Sequence, residues 1–205
     1  DNIIHAVLAR TPGAPEGTGG LSLFIVPKVR VNADGSLGQP NDVVCSNIEH
    51  KMGIHGSPTC SLVFGQNGKC RGYLLGQEQQ GMKLMFFMMN GARVEVGLQG
   101  SAAAAGAYQA ALGYAKERLQ SRSWKEWDNA AAPQVPIIEH PDVRRNLMSA
   151  KAYSEAMRAL LYQTSLFEDL ARTSTGEEHE RYQSYVDVLT PICKAWASDW
   201  GVQVA

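Results

Sequence analysis

The chain has 205 residues and a formal charge of −1, from 19 Lys and Arg against 20 Asp and Glu, and it is 44% hydrophobic. That length suits one sizeable domain or two small ones, and the apolar content is too high for a disordered chain. A near-neutral balance with 19% charged residues leaves no basic footprint for nucleic acid or for an anionic membrane surface.

The first 80 residues read as sheet. Ile3–Arg10, Leu21–Pro27, Val43–Lys51, Cys60–Gly65 and Arg71–Leu75 are β-branched or apolar runs. Turn residues separate them: Thr11-Pro-Gly-Ala-Pro15, Asn32-Ala-Asp-Gly35, Gln39-Pro-Asn-Asp42 and Gln66-Asn-Gly68. Closely spaced strands with no helical period between them predict antiparallel pairing.

From Gly81 the texture changes. Met82–Arg122 reads as one long helix, with the small run Ala102–Ala105 and an amphipathic stretch Tyr108, Ala111, Leu112, Ala115 and Leu119. Such a helix would extend roughly 60 Å at 1.5 Å per residue, too long for one small domain. Gly91, Gly97, Gly100 and Gly106 each cost about 1 kcal/mol relative to Ala in a helix. They predict either close approach of a neighbouring helix or tolerated glycine at bundle contacts, and Ala102–Ala105 with Gly106 fit a buried contact through which the helices would self-associate.

Ser123–Pro136 reads as a long loop. A second helix is predicted from about His140, with Pro141 in its first turn and Asp142 nearby. Val143, Leu147, Ala150, Ser154, Met157 and Leu161 recur along it at spacings of three and four. Thr175-Gly-Glu-Glu178 has the pattern of a capping box opening a third helix. Tyr182, Tyr185, Val186, Leu189, Ile192, Cys193, Trp196 and Trp200 would line one face of that helix. The predicted class is α+β: an antiparallel β segment over 1–80, then an up-down bundle of long helices over 81–205.

The ends read as cut through structure. Asp1 is no initiator, and the last helix runs to the final residues, so the chain is expected to be part of a longer polypeptide. Cys45, Cys60, Cys70 and Cys193 form no CxxC pair, which suits reduced thiols in a cytoplasmic setting, with disulfides left open. No apolar run reaches the ~20 residues of a transmembrane helix.

Chemistry is sparse at residue level. Cys45, His50, His55 and Cys60 are five apart and superficially resemble metal ligands, but odd spacing alternates faces on a strand, so sheet and loop roles are preferred. No phosphate-binding glycine loop or hydrolase elbow occurs. Glu139 beside His140 reads as surface. Glu117, Arg118, Arg122 and Lys125 gather at a helix end, either as solvated charges or as a site for an anion such as a pyrophosphate. Arg93, one of few charges in its turn, either pairs with a carboxylate or faces a polar cavity.

Several segments carry a resemblance: Gly20-Leu-Ser-Leu-Phe-Ile-Val-Pro-Lys28, Glu49-His-Lys-Met-Gly-Ile-His-Gly-Ser57, Leu75-Gly-Gln-Glu-Gln-Gln-Gly-Met82, Met89-Asn-Gly-Ala-Arg-Val-Glu-Val-Gly-Leu-Gln-Gly100 and Tyr108–Arg118. In order and spacing the chain resembles the acyl-CoA dehydrogenase flavoproteins, from the later part of their barrel-like middle β domain into their C-terminal helical domain. Ser123–Pro136 and Ile138–Arg145 are similar to the branch of larger, broad-specificity bacterial members.

The resemblance implies FAD as cofactor and α,β-dehydrogenation of a fatty acyl-CoA, within β-oxidation. It implies an electron-transfer flavoprotein or similar acceptor, and a homodimer or homotetramer built through the helices. It assigns Arg118 to the flavin pyrophosphate of a neighbouring subunit, with Gln120 as a further flavin contact. Asn90 and Arg93 are placed near the acyl-CoA pocket. No catalytic base is implied here: the base glutamate of most members would lie beyond the chain, and the long-helix position used by others is Ala92, one turn from Glu95. An acyl-CoA oxidase or other flavoprotein of this fold, or a non-catalytic helical assembly module, are the alternatives.

Overall fold

The computed structural model describes residues 2–205, and these form two compact units that divide between Met88 and Met89. In the first unit, β1 (Ile4–Arg10) and β2 (Leu21–Pro27) pair antiparallel from Ile4 opposite Pro27 to Arg10 opposite Leu21. β7 (Tyr73–Leu75) adds to the far edge of β2, with Phe24 opposite Leu74. Central β2 is apolar on both faces, as its sequence Leu-Ser-Leu-Phe-Ile-Val-Pro suggests, and it buries Ser22, Leu23, Val26 and Pro27.

Two further antiparallel ribbons complete this unit. β3 (Val29–Val31) and β4 (Leu37–Pro40) form a hairpin that the sequence reading did not contain. β5 (Val43–Ile48) and β6 (Cys60–Phe64) pair antiparallel, so the strand expected to run to Lys51 stops three residues earlier. The ladder ends with Glu49 donating its N–H to Thr59 O, 2.8 Å, beyond which 50–58 turn back. No closed barrel is formed among the described residues; the sheets are small and separate.

Buried Asn41 knits this unit together. Its Nδ2 donates to Pro27 O and Arg71 O, both at 2.8 Å, while its Oδ1 accepts from Arg71 N at 2.9 Å and Arg30 Nε at 3.1 Å. All four bonding directions of the amide are used, which is what makes a fully buried Asn tolerable.

α1 (Gly81–Glu117) is shorter than expected, because the chain leaves the helix at Arg118 for β8 (Leu119–Arg122). The predicted loop holds structure: a 3-10 turn Trp124–Glu126, β9 (Gln134–Pro136) paired antiparallel to β8, and a 3-10 turn Ile137–Glu139. α2 (Pro141–Thr173) and α3 (Gly176–Val204) follow, joined through Ser174 and Thr175. Thr175 occupies the N-cap without a side-chain bond, so the expected capping box is not made. Gly176 at φ +60 instead carries the turn into α3.

Within the second unit the three helices run up, down and up. His179 Nδ1 meets Ala171 O at 2.7 Å, Thr164 Oγ1 lies 3.1 Å from Cys193 Sγ, and Tyr153 stacks on Trp200 with centroids 3.7 Å apart. Rising numbers on α2 thus meet falling numbers on α3. α1 crosses α3 at glycines. A Cβ on Gly100 would stand 2.2 Å from Ala197 O, and one on Gly97 would stand 2.9 Å from Cys193 O. Within one chain only Ala104 of the small run is fully buried, while Ala102, Ala103 and Gly106 are exposed. Ile192 is exposed, and Tyr185 is partly exposed while its ring meets Phe167 of α2 at 4.9 Å.

Candidate functional site

The chain end of α1 builds the first group of candidate residues. Arg118 still donates its backbone N–H to Tyr114 O, 2.9 Å, closing the last helical turn. Its own carbonyl accepts from Ile137 N at 2.9 Å, which starts the β8–β9 ribbon. Gln120 O is bonded to His140 Nε2 at 2.8 Å. The backbone of Arg118 and Gln120 is therefore held on both sides, while both side chains are exposed. A guanidinium and a carboxamide presented from pinned backbone suit an oxyanion such as a phosphate, the Arg fork supplying paired donors. Ser121 at φ +56 breaks the extended run directly afterwards.

Beside them, the ribbon and the start of α2 enclose grooves that the sequence reading did not anticipate. One of about 280 Å³ is lined by Ser123, Trp124, Lys125, Glu139 and Arg144. A larger one of about 540 Å³ runs along Trp124, Pro141, Arg144, Arg145 and Met148. Arg144 and Arg145 sit in the first turns of α2, where the helix dipole favours anions; Asp142 meets Arg145 at 2.7 Å and offsets part of that field. Two adjacent cations just after a first-turn Pro were the legible signal. His140 pins Gln120 rather than pairing with Glu139.

Asn90 and Arg93 form a separate pair, three residues apart on α1. Arg93 Nη1 donates to Asn90 Oδ1 at 3.3 Å, and both side chains are half-buried. From Arg93 to Arg118 the helix rises roughly 37 Å, at 1.5 Å per residue. One chain does not bring the two pairs together. Ala92 offers no acid or base, and Glu95 is exposed. Among the described residues, no group of three or more His, Cys, Asp or Glu side chains could hold a metal ion, and no helix is long and apolar enough to cross a membrane.

Residues 79–205 match the acyl-CoA dehydrogenase C-terminal domain. A butyryl-CoA dehydrogenase of Syntrophomonas wolfei is 47% identical over 97% of the chain and 33% of its own length. A 3-methylmercaptopropionyl-CoA dehydrogenase of Ruegeria pomeroyi is 45% identical over 100% of the chain and 34% of its own length. The chain thus spans about a third of the length of these curated relatives. Among solved structures, Caenorhabditis elegans ACDH-11 in complex with C11-CoA superposes with a TM-score of 0.77 at 18% identity, over 98% of this chain and 31% of that one. That likeness concerns the fold.

Proposed function

The chain belongs to the acyl-CoA dehydrogenase family, and from that premise we propose that it is the later part of an FAD-dependent enzyme that introduces an α,β double bond into fatty acyl-CoA thioesters. The observation that carries this reading is the presentation of Arg118 and Gln120 from pinned backbone at the end of α1. Bound flavin supplies the hydride acceptor. Arg118 holds its pyrophosphate by charge-assisted hydrogen bonds, and Gln120 adds a polar contact. Asn90 and Arg93, hydrogen-bonded to each other, orient the acyl-CoA at the opposite end of the helix.

The long separation of the two pairs favours an assembly in which Arg118 serves the flavin of a neighbouring copy. The reading includes a homodimer or homotetramer, an electron-transfer flavoprotein as acceptor, a place in fatty acid β-oxidation, a cytoplasmic enzyme, and inactivity of the 205-residue chain alone. Organisation into a partial middle β domain over 1–80 and a helical domain over 81–205 belongs to it too. A base for the α proton is assigned to no residue of this chain.

The test is made on the complete polypeptide, purified with its flavin. Acyl-CoA-dependent reduction of an electron-acceptor dye is expected, and Arg118→Ala is expected to weaken FAD retention by about tenfold or more, the scale of a lost charge-assisted bond. Peroxide formation in place of dye reduction would make the protein an oxidase. A complete polypeptide that holds no flavin would overturn the enzymatic reading.

A further inference from the structure

Cys45 and Cys60 take no part in that reading, yet they are the two exposed thiols of the chain; Cys70 is half-buried and Cys193 buried. They lie on paired strands, Cys45 of β5 opposite Leu62 and Cys60 of β6 opposite Ile48. Residues two apart on a strand share a face, so Cys60 lies on the face of Leu62 and therefore of Cys45, one step along the diagonal. Between them the register shifts and Ser46 is left out of the pairing, its Oγ donating to Ser61 O at 3.1 Å. A bulge of this kind raises the local twist and bends the strand. After local desolvation, Cys45 also helps to raise the Cys60 thiol across this diagonal. Each also leans on a nearby carbonyl, Cys45 Sγ on Asn47 O at 3.4 Å and Cys60 Sγ on Pro58 O at 3.9 Å.

We propose that Cys45 and Cys60 form a dithiol modification site that closes to an intrachain disulfide by exchange with a small disulfide such as oxidised glutathione. One cysteine thiolate attacks the small disulfide, breaking its S–S bond and releasing one thiol. The second cysteine thiolate then attacks the mixed disulfide at the protein sulfur and releases the other. The protein gives up two electrons and two protons, and one small disulfide becomes two thiols.

The bridge would clamp the two strands at the root of the turn formed by 49–59. That turn is organised by Lys51, whose Nζ donates to Ile54 O at 3.0 Å and also to Ser57 O, and it holds Met52 and Ile54 out in solvent. Diagonal strand neighbours stand roughly 7–8 Å apart, beyond the preferred Cα separation of about 4.4–6.8 Å for a disulfide. Closure therefore draws on the bulge, and the bridge is strained and easily reduced, as suits a reversible modification rather than a structural staple. Local desolvation, then Cys45, raises the Cys60 thiol above the ordinary cysteine value, and Lys51 opposes the rise. Exchange consequently accelerates as pH rises through the alkaline range.

The protein in its complete expressed form is equilibrated in glutathione buffers of increasing oxidation, its free thiols are blocked, and its peptides are mapped by mass. The expected product is one peptide pair joined through Cys45 and Cys60, lighter by two hydrogens and restored by a dithiol reductant. Cys70→Ser leaves it unchanged, whereas Cys45→Ser and Cys60→Ser each stop at a glutathione adduct on the surviving thiol. The unmodified protein decides the matter even where a variant fails to fold. Two free thiols, two separate adducts, a bridge to Cys70, or a bridge between chains would each overturn the proposal.

Discussion

Asn41 shows how much of the β unit depends on a single amide. Replacing it with Ala leaves the carbonyls of Pro27 and Arg71 and the Arg71 N–H without partners in a fully buried spot. At about 1–3 kcal/mol for each stranded group, with partial relaxation, Asn41→Ala should cost roughly 3 kcal/mol. Urea unfolding followed through the β unit measures this, and a loss under about 0.5 kcal/mol would mean that water replaces the amide at no cost. Its neighbour Asp42 contributes a local pH dependence. Desolvation would raise its carboxyl, but the N–H of Lys69 and the side chain and N–H of Asn67 outweigh that and hold it below the usual value of 3.8. A depressed carboxylate stabilises the fold above its unfolded value, and that stability is lost as pH falls through the folded one. Protection from amide exchange at Asn67 and Lys69, taken relative to the unfolded-chain rate, should therefore fall below about pH 4, and Asp42→Asn should flatten that profile. An unchanged profile in the variant would remove the role. Neither residue stood out in the sequence: Asn41 and Asp42 read only as turn formers, because their partners lie some 14 to 30 residues away.

At the scale of elements, the strongest contrast is between two glycines of α1. Gly100 faces the backbone of Ala197, so a methyl group there must push two helices apart; Gly106 faces open space. Gly100→Ala should destabilise by about 1–3 kcal/mol, the range for overpacking against rigid neighbours. Gly106→Ala should stabilise by about 0.5–1 kcal/mol through helix propensity alone. Thermal unfolding read by far-UV circular dichroism separates them, and equal effects would contradict the crossing. The two positions look alike in sequence, since periodicity places a helix but does not say which glycine another helix touches. The same limit explains the ribbon. Leu119 continues the apolar spacing of α1 and no glycine marks the exit, so β8 was read as helix; it exists because Ile137 and His140 bind the backbone of Arg118 and Gln120. β1 and β2 were legible from bounded β-branched runs, and α2 from Pro141 and its spacing. The β3–β4 hairpin was not, its strands of three and four residues being too short to show alternation. Arg118 and Gln120 entered through family resemblance, and the groove around Arg144 only through the fold.

For the whole molecule, the helical unit keeps mostly small side chains fully buried and leaves several large apolar ones exposed. Its interior is mostly small: Ala104, Ala115, Ala171, Ala197 and Cys193 are buried, joined by Met157, Leu161 and Val186. Larger apolar groups point outward, among them Leu98 at 55% exposure, Met148 at 71%, Val188 at 61% and Val202 at 77%. Tyr153, Trp196, Trp200 and Val204 pack half-buried around that interior, so the exposed groups are the apolar surface left for a partner to cover. Covering them with a second copy is the outcome the proposed homo-oligomer requires. Sedimentation of the chain over a wide concentration range should show reversible association, and the double variant Leu98→Glu, Val188→Glu should remain helical while shifting toward monomer. If the unmodified chain stays monodisperse as a monomer at high concentration, copies do not cover these faces, and the cross-subunit role proposed for Arg118 falls with them. Flavin retention by the complete polypeptide would then have to come from Arg118 of the same chain, a distinction that mixing Arg118→Ala subunits with subunits disabled elsewhere in the flavin site resolves: activity recovered on mixing requires an arginine supplied across an interface.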